Sequence, residues 1–342
     1  MTDIAVIILT KDEKLHIGRC LERIAALSPR QVFVVDCFST DGTQRIVEEW
    51  KSGGVGEWRS GGVGTAAEFR CRALEKVEET PRLMPLAEAV ETVVHRQVAA
   101  GSNPSTQGSI PNAVAERKGG GIVLAEHEWP GLYAVQFNWA LDNLPIEGKW
   151  VLRLDADEYL TPETVERLKE ELPKLPDDVS GLTLELKRRF MGGEIRHGTN
   201  GIRLSRIFKY GIGRCEERAM DEHIVLSEGR CIDFNGAFYD DNLNTFEWWQ
   251  EKHRGYAKRE AMDAISLFNN PDRLKNPSAT DRKKIKYYKL PRYFRAVAYF
   301  CIRYFLKLGF LDGLAGFRWH FWQGLWYRWI VDIEIGKMLH AN

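Results

Sequence analysis

Two strand-helix units in immediate succession at the N-terminus constrain this chain more than any other feature. Ile4 to Leu9 is a short, unbroken apolar run rich in β-branched residues. Asp12 then opens a segment in which Leu15, Ile17, Cys20, Leu21, Ile24 and Leu27 recur near helical spacing. Val32 to Val35 repeats the apolar run, Ser39-Thr40-Asp41-Gly42 supplies turn and capping chemistry, and Thr43 to Trp50 reads as a second helix. Alternation of this kind predicts a mostly parallel central sheet flanked by helices, joined by right-handed crossovers. A third strand, Ile122 to Ala125, leads to a helix around Leu132 to Leu141, and a fourth, Trp150 to Leu154, ends at Asp155. Ligands of such sheets gather at the carboxyl ends of the strands, which here means Thr10, Asp36, the segment Glu126 to Gly131, and Asp155.

The third unit is delayed by an intrusion, Lys51 to Gly119, that begins with the near-duplicates Ser52-Gly53-Gly54-Val55-Gly56 and Ser60-Gly61-Gly62-Val63-Gly64. Most connections in such units need only about two to six residues, so residues 51–119 read as an inserted, flexible appendage. The doubled motif lacks the Gly-Lys-Ser/Thr ending of a phosphate loop. Residues 1–50 and 120–243 then form the catalytic domain, its strand-rich later part supplying a mixed far edge to the sheet. Residues 244–342 form a helical C-terminal region that is increasingly aromatic and basic.

At 342 residues the chain is long enough for a large core, and 48 basic residues balance 48 acidic ones, so nothing marks it as a nucleic-acid binder. Six cysteines with no C-x-x-C spacing read as scattered thiols in a reducing compartment. The N-terminus lacks the basic start and long apolar run of a signal peptide, and no uninterrupted apolar stretch reaches membrane-spanning length. A cytoplasmic enzyme is expected.

Leu152-Arg153-Leu154-Asp155-Ala156-Asp157 is the strongest local chemical signal. Two carboxylates one residue apart at a strand end can hold a divalent cation from one side and leave positions open for phosphate oxygens. The plain alternative is a solvated acidic turn that caps the helix after Thr161. Asp36, at the end of the second strand, can accept hydrogen bonds from a base or ribose. Asp41 fits that role or ordinary turn chemistry equally well.

These segments together, Val6-Ile7-Ile8-Leu9-Thr10-Lys11-Asp12-Glu13, Val34-Val35-Asp36 with Ser39-Thr40-Asp41-Gly42-Thr43, and Asp155-Ala156-Asp157, resemble glycosyltransferase family 2. The likeness extends through Trp129-Pro130-Gly131, Gln136-Phe137-Asn138 and Met220-Asp221-Glu222-His223 to the aromatic C-terminus, and is nearest to bacterial members that build lipopolysaccharide core or exopolysaccharide. It implies the GT-A fold, a nucleoside-diphosphate sugar donor with uridine the favoured base, Mg²⁺ or Mn²⁺, and inversion at the anomeric carbon. Residue by residue, it implies that Thr10, Glu13, Asp36, Asp41, Gln136, Asn138 and Asp155 line the nucleotide-sugar pocket. It further implies that Asp157 is the principal metal ligand, with Asp155 beside it, and that Glu222 or Asp221 is the base that deprotonates the acceptor. One departure is visible: Asp12 stands where the family usually has asparagine.

From Tyr287 to Trp329, Tyr, Phe and Trp interleave with Lys and Arg. Aromatic rings favour the headgroup level and basic residues favour anionic lipid, so this region is expected at a membrane surface, at the inner face of the cytoplasmic membrane. The alternative is packing on the catalytic domain or on a second copy of the chain in a homo-oligomer. The resemblance implies a lipid-linked glycan or lipopolysaccharide precursor as acceptor. A degenerate transferase fold serving as a scaffold or binding protein is the competing function.

Overall fold

The computed structural model describes residues 1–52, 121–199, 201–217 and 223–340. The insertion beyond Ser52 lies outside them. The chain divides into two compact units: Met1–Ala156 with Val165–Leu182 and Ser205–Ile232, and Asp157–Thr164 with Thr183–Leu204 and Asp233–Asn342.

The first unit carries β1 (Thr2–Thr10), α1 (Ile17–Ala25), β2 (Pro29–Asp36), α2 (Thr43–Lys51), β3 (Ile122–Glu126), α3 (Tyr133–Asn143) and β4 (Trp150–Asp155). The strand order is β3-β2-β1-β4, all parallel, with Ile7 opposite Phe33 on one side and Arg153 on the other. Central parallel strands are covered on both faces, which is why Ile4 to Leu9 and Val32 to Val35 are unbroken apolar runs and are fully or almost fully buried. α1 buries Ile17, Cys20, Leu21 and Ile24, the i, i+3, i+4, i+7 set of an amphipathic helix. On α3, Phe137 packs into a cluster with Ile7, Phe33, Val35, Val151 and Phe208. Each such fully buried side chain is worth about 1.5–3 kcal/mol relative to exposure.

Beyond β4 the pairing changes sense. Residues 205–209 of β8 (Ile202–Lys209) lie antiparallel to β4, with Leu152 opposite Ile207, and β9 (Gly213–Cys215) pairs antiparallel with β10 (Ile224–Leu226). The sheet is therefore mixed: the parallel set expected from the sequence is these four strands. After α4 (Pro162–Glu171) the chain has strands joined by short links, and short links permit antiparallel neighbours where a parallel one needs a crossover.

In the second unit, β5 (Glu158–Leu160), residues 183–190 of β6 (Val179–Phe190), β7 (Gly193–Ile195), residues 202–204 of β8 and residues 233–241 of β11 (Arg230–Asp241) run in the order β8-β6-β11-β5, with β7 on β6. Its helices are α5 (Phe246–Asn269), α6 (Pro271–Lys275), α7 (Ala279–Tyr288), α8 (Phe294–Cys301), α9 (Gly313–Trp319) and α10 (Tyr327–His340). Thr245 caps α5 by accepting from Trp248 N, and Ser278 with Asp281 forms a capping box on α7. Ala257, Ala261 and Ala264 on α5 meet Tyr327, Val331 and Ile335 on α10, the small residues giving the helices a close approach.

Many of the basic and aromatic residues expected to face a membrane are turned inward in this unit. Arg295 is buried on Asp332, Arg328 bonds Glu260, which also accepts from Tyr288 and Tyr327, and Trp319 and Tyr327 are buried. Interior packing accounts for Arg295 and Arg328, since a buried guanidinium persists where a carboxylate neutralises it, while Lys289, Arg292 and Lys307 are exposed.

Candidate functional site

At the carboxyl ends of the parallel strands of the first unit, the side chains form a continuous hydrogen-bonded network. Thr10 ends β1 opposite Asp36, which ends β2. Thr10 Oγ1 donates to Asp36 Oδ1 at 2.7 Å, and Ser39 Oγ donates to the same oxygen at 2.6 Å. Oδ2 accepts from Ser39 N and from Gln44 Nε2, both at 2.7 Å. Asp36 is fully buried, and these four donors fill its acceptor capacity. Its direct work is to shape the loop after β2. Gln44 continues outward to Glu126 Oε1 at 2.8 Å, on the end of β3.

The loop after β1 is tied to the loop after β2. Asp12 has φ of 55°, a left-handed conformation that aspartate and asparagine tolerate better than other residues with a side chain. Its carboxylate accepts from Thr40 N at 2.8 Å while its own N–H donates to Ser39 Oγ. An asparagine here would tolerate the same left-handed conformation. Glu13 N donates to Thr43 Oγ1, and the Glu13 carboxylate lies 2.6 Å from His16 Nδ1. Asp41 accepts from Thr43 N, Thr43 Oγ1 and Lys14 N, the turn chemistry left open by its sequence.

Gln136 and Asn138, on α3, are buried with partners of their own. Gln136 Oε1 meets His127 Nδ1 at 2.6 Å, and Nε2 reaches Cys37 Sγ at 3.2 Å. Asn138 grips the backbone of Cys215 with both ends of its amide, Nδ2 to O and Oδ1 from N. Burial, with Asp36 next to it, pushes the Cys37 thiol up to about 11, so it is an uncharged wall group at neutral pH.

Asp155 ends β4, whose register places it beside Leu9. Asp157 follows in the turn that leads to β5 and belongs to the second unit. There Asn242 Nδ2 donates to Asp157 Oδ2 at 2.9 Å, and the Asp157 carbonyl accepts from Asp241 N. Asp157 borders a cavity of about 320 Å³ whose wall includes Arg188, Arg189, Trp248, Lys252 and His253. Arg188 pairs with Asp240 at 3.0 Å, and the Lys252 ammonium stands 4.5 Å from the Trp248 ring centre. His253 stacks on Trp249 at 3.6 Å, and burial pulls its pKa down to about 4, so it is neutral at pH 7.

Of the basic run Lys187-Arg188-Arg189, the last two border this cavity. Arg203 instead reaches the carbonyls of Thr183 and Phe234 and pairs with Asp233. Gln44, Asn242 and Trp248 were not singled out, and Ser39 was read only as part of a turn motif. Ser39 and Gln44 were legible as polar residues just past a strand end, but Asn242 and Trp248 are separated in sequence from Asp157 by the whole of β5 to β11.

Asp221 and Glu222 lie outside the described residues; their neighbours on either side form the β9–β10 ladder, in which Cys215 opposes Ile224. Among the described residues no three His, Cys, Asp or Glu side chains form a ready cation cage. Asp155 and Asp157 offer the hard carboxylate oxygens that Mg²⁺ and Mn²⁺ take. Such ions are commonly held by one or two carboxylates with substrate phosphates completing the shell, so each carboxylate is by its chemistry a suitable donor.

No protein-family model matches this sequence, and no curated protein matches it. Among solved structures, S. aureus TarS 1-349 in complex with UDP-GlcNAc aligns at a TM-score of 0.39 and 12% identity, over 100% of this chain and 93% of that one. The mannosyltransferase PcManGT from Pyrobaculum calidifontis, in complex with GDP-Man and Mn²⁺, aligns at 0.42 and 15%, over 97% and 86%. Against a longer S. aureus TarS structure the TM-score is 0.36 at 14% identity, over 78% of this chain, which spans 40% of that one. These are distant likenesses, and the chemistry of this chain has to be read from its own side chains.

Proposed function

We propose that this chain is an inverting, metal-assisted glycosyltransferase that moves a sugar from a nucleoside-diphosphate sugar, UDP-linked by preference, to a hydroxyl of a lipid-linked glycan or a lipopolysaccharide or exopolysaccharide precursor at a membrane surface. The observation that carries the reading is the Thr10–Asp36–Gln44–Glu126 network, which spans the carboxyl ends of three neighbouring parallel strands. Ligands of open α/β sheets bind there.

In this reading the loops after β1 and β2, held by Asp12, Glu13, Asp36 and Asp41, make a pre-shaped wall for the base and ribose. Asp36 acts as a positioning residue through Ser39 and Gln44. Gln136 and Asn138 hold the wall from behind. Asp155 and Asp157 hold the divalent cation, which when bound neutralises the diphosphate and makes it a better leaving group. Asn242 fixes the Asp157 carboxylate, so the ligand is oriented before donor arrives. Glu222 or Asp221 takes the proton of the acceptor hydroxyl on the face opposite the leaving group.

The test is a thermal-shift screen of nucleoside-diphosphate sugars with and without Mn²⁺, on the wild type and on Asp157→Ala. Removing the Asp157 side chain takes away the hydrogen bond from Asn242, worth about 1 kcal/mol, and the melting temperature of the unliganded variant checks its fold. Manganese-dependent stabilisation by one donor, lost in the variant, supports the transferase and names the sugar class. Absence of a shift with every donor, at concentrations far above ordinary dissociation constants, would refute it in favour of a binding or scaffold role.

A further inference from the structure

In residues 294–317 of the C-terminal region, Arg303 and Asp312 turn inward while several large apolar side chains stand outward. Arg303 is buried and donates to the Gly198 carbonyl at 3.1 Å. Asp312 accepts from Arg196 N and His197 N at 2.8 Å each and lies 2.6 Å from His197 Nδ1. Gly198 N donates to the Lys307 carbonyl. These bonds fasten the inner side of a bend formed by a π-helical turn, Ile302–Leu306, and a 3₁₀ turn, Gly309–Asp312. Leu308 sits between the two turns with φ of 59°, an unfavourable value for leucine that the fastened turns impose.

The outer side carries Phe305, Leu306, Leu308, Leu311 and Leu314, all exposed, Leu306 at 77% and Leu314 at 63%. Single exposed leucines are ordinary, but a run of them on a bend whose Arg303 and Asp312 side chains are turned inward is not.

Charge tells what covers it. From Arg282 to Leu311 the sequence holds no aspartate or glutamate. Within that stretch Lys284 pairs with Asp263 and Arg295 with Asp332, which leaves Arg282, Lys283, Lys286, Lys289 and Arg292 exposed before α8, and Lys307 exposed at the bend itself. An apolar surface preceded by an acid-free cationic segment matches the two layers of an anionic bilayer face, acyl chains and headgroups. No helix among the described residues is long and apolar enough to cross a membrane, so the fit is to an element that enters one leaflet.

We propose that the bend of residues 302–314 inserts into the surface of an anionic lipid bilayer, with the cations of residues 282–292 at the headgroups. Trp319, Tyr327 and Arg328 serve the interior of the protein. The inference deepens the membrane part of the function proposed above and depends on no property of the donor site.

The test is sedimentation of the full chain with sucrose-loaded vesicles of phosphatidylcholine alone and of phosphatidylcholine with 30% phosphatidylglycerol, the vesicle composition being the experimenter's choice. The wild type is expected to partition at least tenfold more strongly to the anionic vesicles. Leu306→Asp with Leu311→Asp, both at exposed positions, should lower partitioning at least tenfold while the melting temperature holds. Lys283→Glu with Lys286→Glu and Lys289→Glu should erase the preference for anionic lipid. Wild type that stays in the supernatant with both vesicles, or a doubly substituted bend that binds as well as wild type, overturns the proposal. So does concentration-dependent dimerisation that the bend variant abolishes when vesicle binding is absent, which would assign the surface to a second copy. Donor-induced thermal shift, measured on the same proteins, separates the two readings: its loss with vesicle binding intact counts against the transferase, and the reverse counts against the membrane bend alone.

Discussion

Thr10 Oγ1 donates to Asp36 Oδ1 across the last register pair of two parallel strands, so side chains extend the ladder one step past the backbone. The pair is buried, and it fixes where the loops after both strands begin. Thr10→Val keeps the shape and removes the donor, and is expected to cost about 1–2 kcal/mol. Asp36→Ala strands four donors and should cost more than about 3 kcal/mol. Urea unfolding midpoints check both, and donor affinity should fall in the same order.

The identity of the base can be decided by two amide substitutions. Glu222→Gln is expected to lower kcat by about 10²–10⁴ with donor binding unchanged, whereas Asp221→Asn stays within about tenfold. Acceptor-dependent release of nucleoside diphosphate is the readout. The opposite ranking would reassign the role to Asp221.

Gly148 and Gly255 should respond in opposite directions to alanine. A Cβ at Gly148 would stand 2.6 Å from the backbone nitrogen of Ala5, on the central strand β1, where nothing can yield cheaply. Gly148→Ala is therefore expected to destabilise by about 2 kcal/mol or more. Gly255 lies inside α5 with open space where its Cβ would be, so Gly255→Ala should stabilise by about 0.5–1 kcal/mol. Paired denaturation curves test the contrast.

Acid should weaken the fold through two histidines, His320 buried and His253 half-buried. Burial holds His253 at about 4, and burial with Arg303 nearby holds His320 at about 4, both below the usual 6.5. Between pH 6.5 and 4 the unfolded chain binds protons that the folded chain refuses, so stability falls as pH falls through that window and is fully present above it. Each contributes on the order of 1–3 kcal/mol by pH 4. Unfolding free energies at pH 7.5 and 5.0 should differ less in His253→Gln than in the wild type; an unchanged difference would show that His253 titrates normally.

The residues legible in sequence were those whose environment is local. Continuous apolar runs at Ile4 to Leu9 and Val32 to Val35 determined two buried parallel strands, because a strand covered on both faces has no polar side to show. Strand-end positions followed directly, and with them Thr10, Asp36 and Asp155. What Asp36 does was decided only in three dimensions: a carboxylate at a strand end reads as open to a ligand until Thr10, Ser39 and Gln44 arrive from three different segments to fill it. The C-terminal region shows the same limit. Alternating aromatic and basic residues are equally compatible with a lipid surface and with a packed interior, since periodicity gives faces but not their partners. The pairing of Arg295 with Asp332 and of Arg328 with Glu260 turned those residues inward, and left Leu306 and Leu311 at the surface. Sequence by itself determined which segments are strands, helices and loops at the ligand-bearing edge; tertiary structure decided which charges are spent on one another, because a charge is neutralised by a neighbour in space and not by one in the chain.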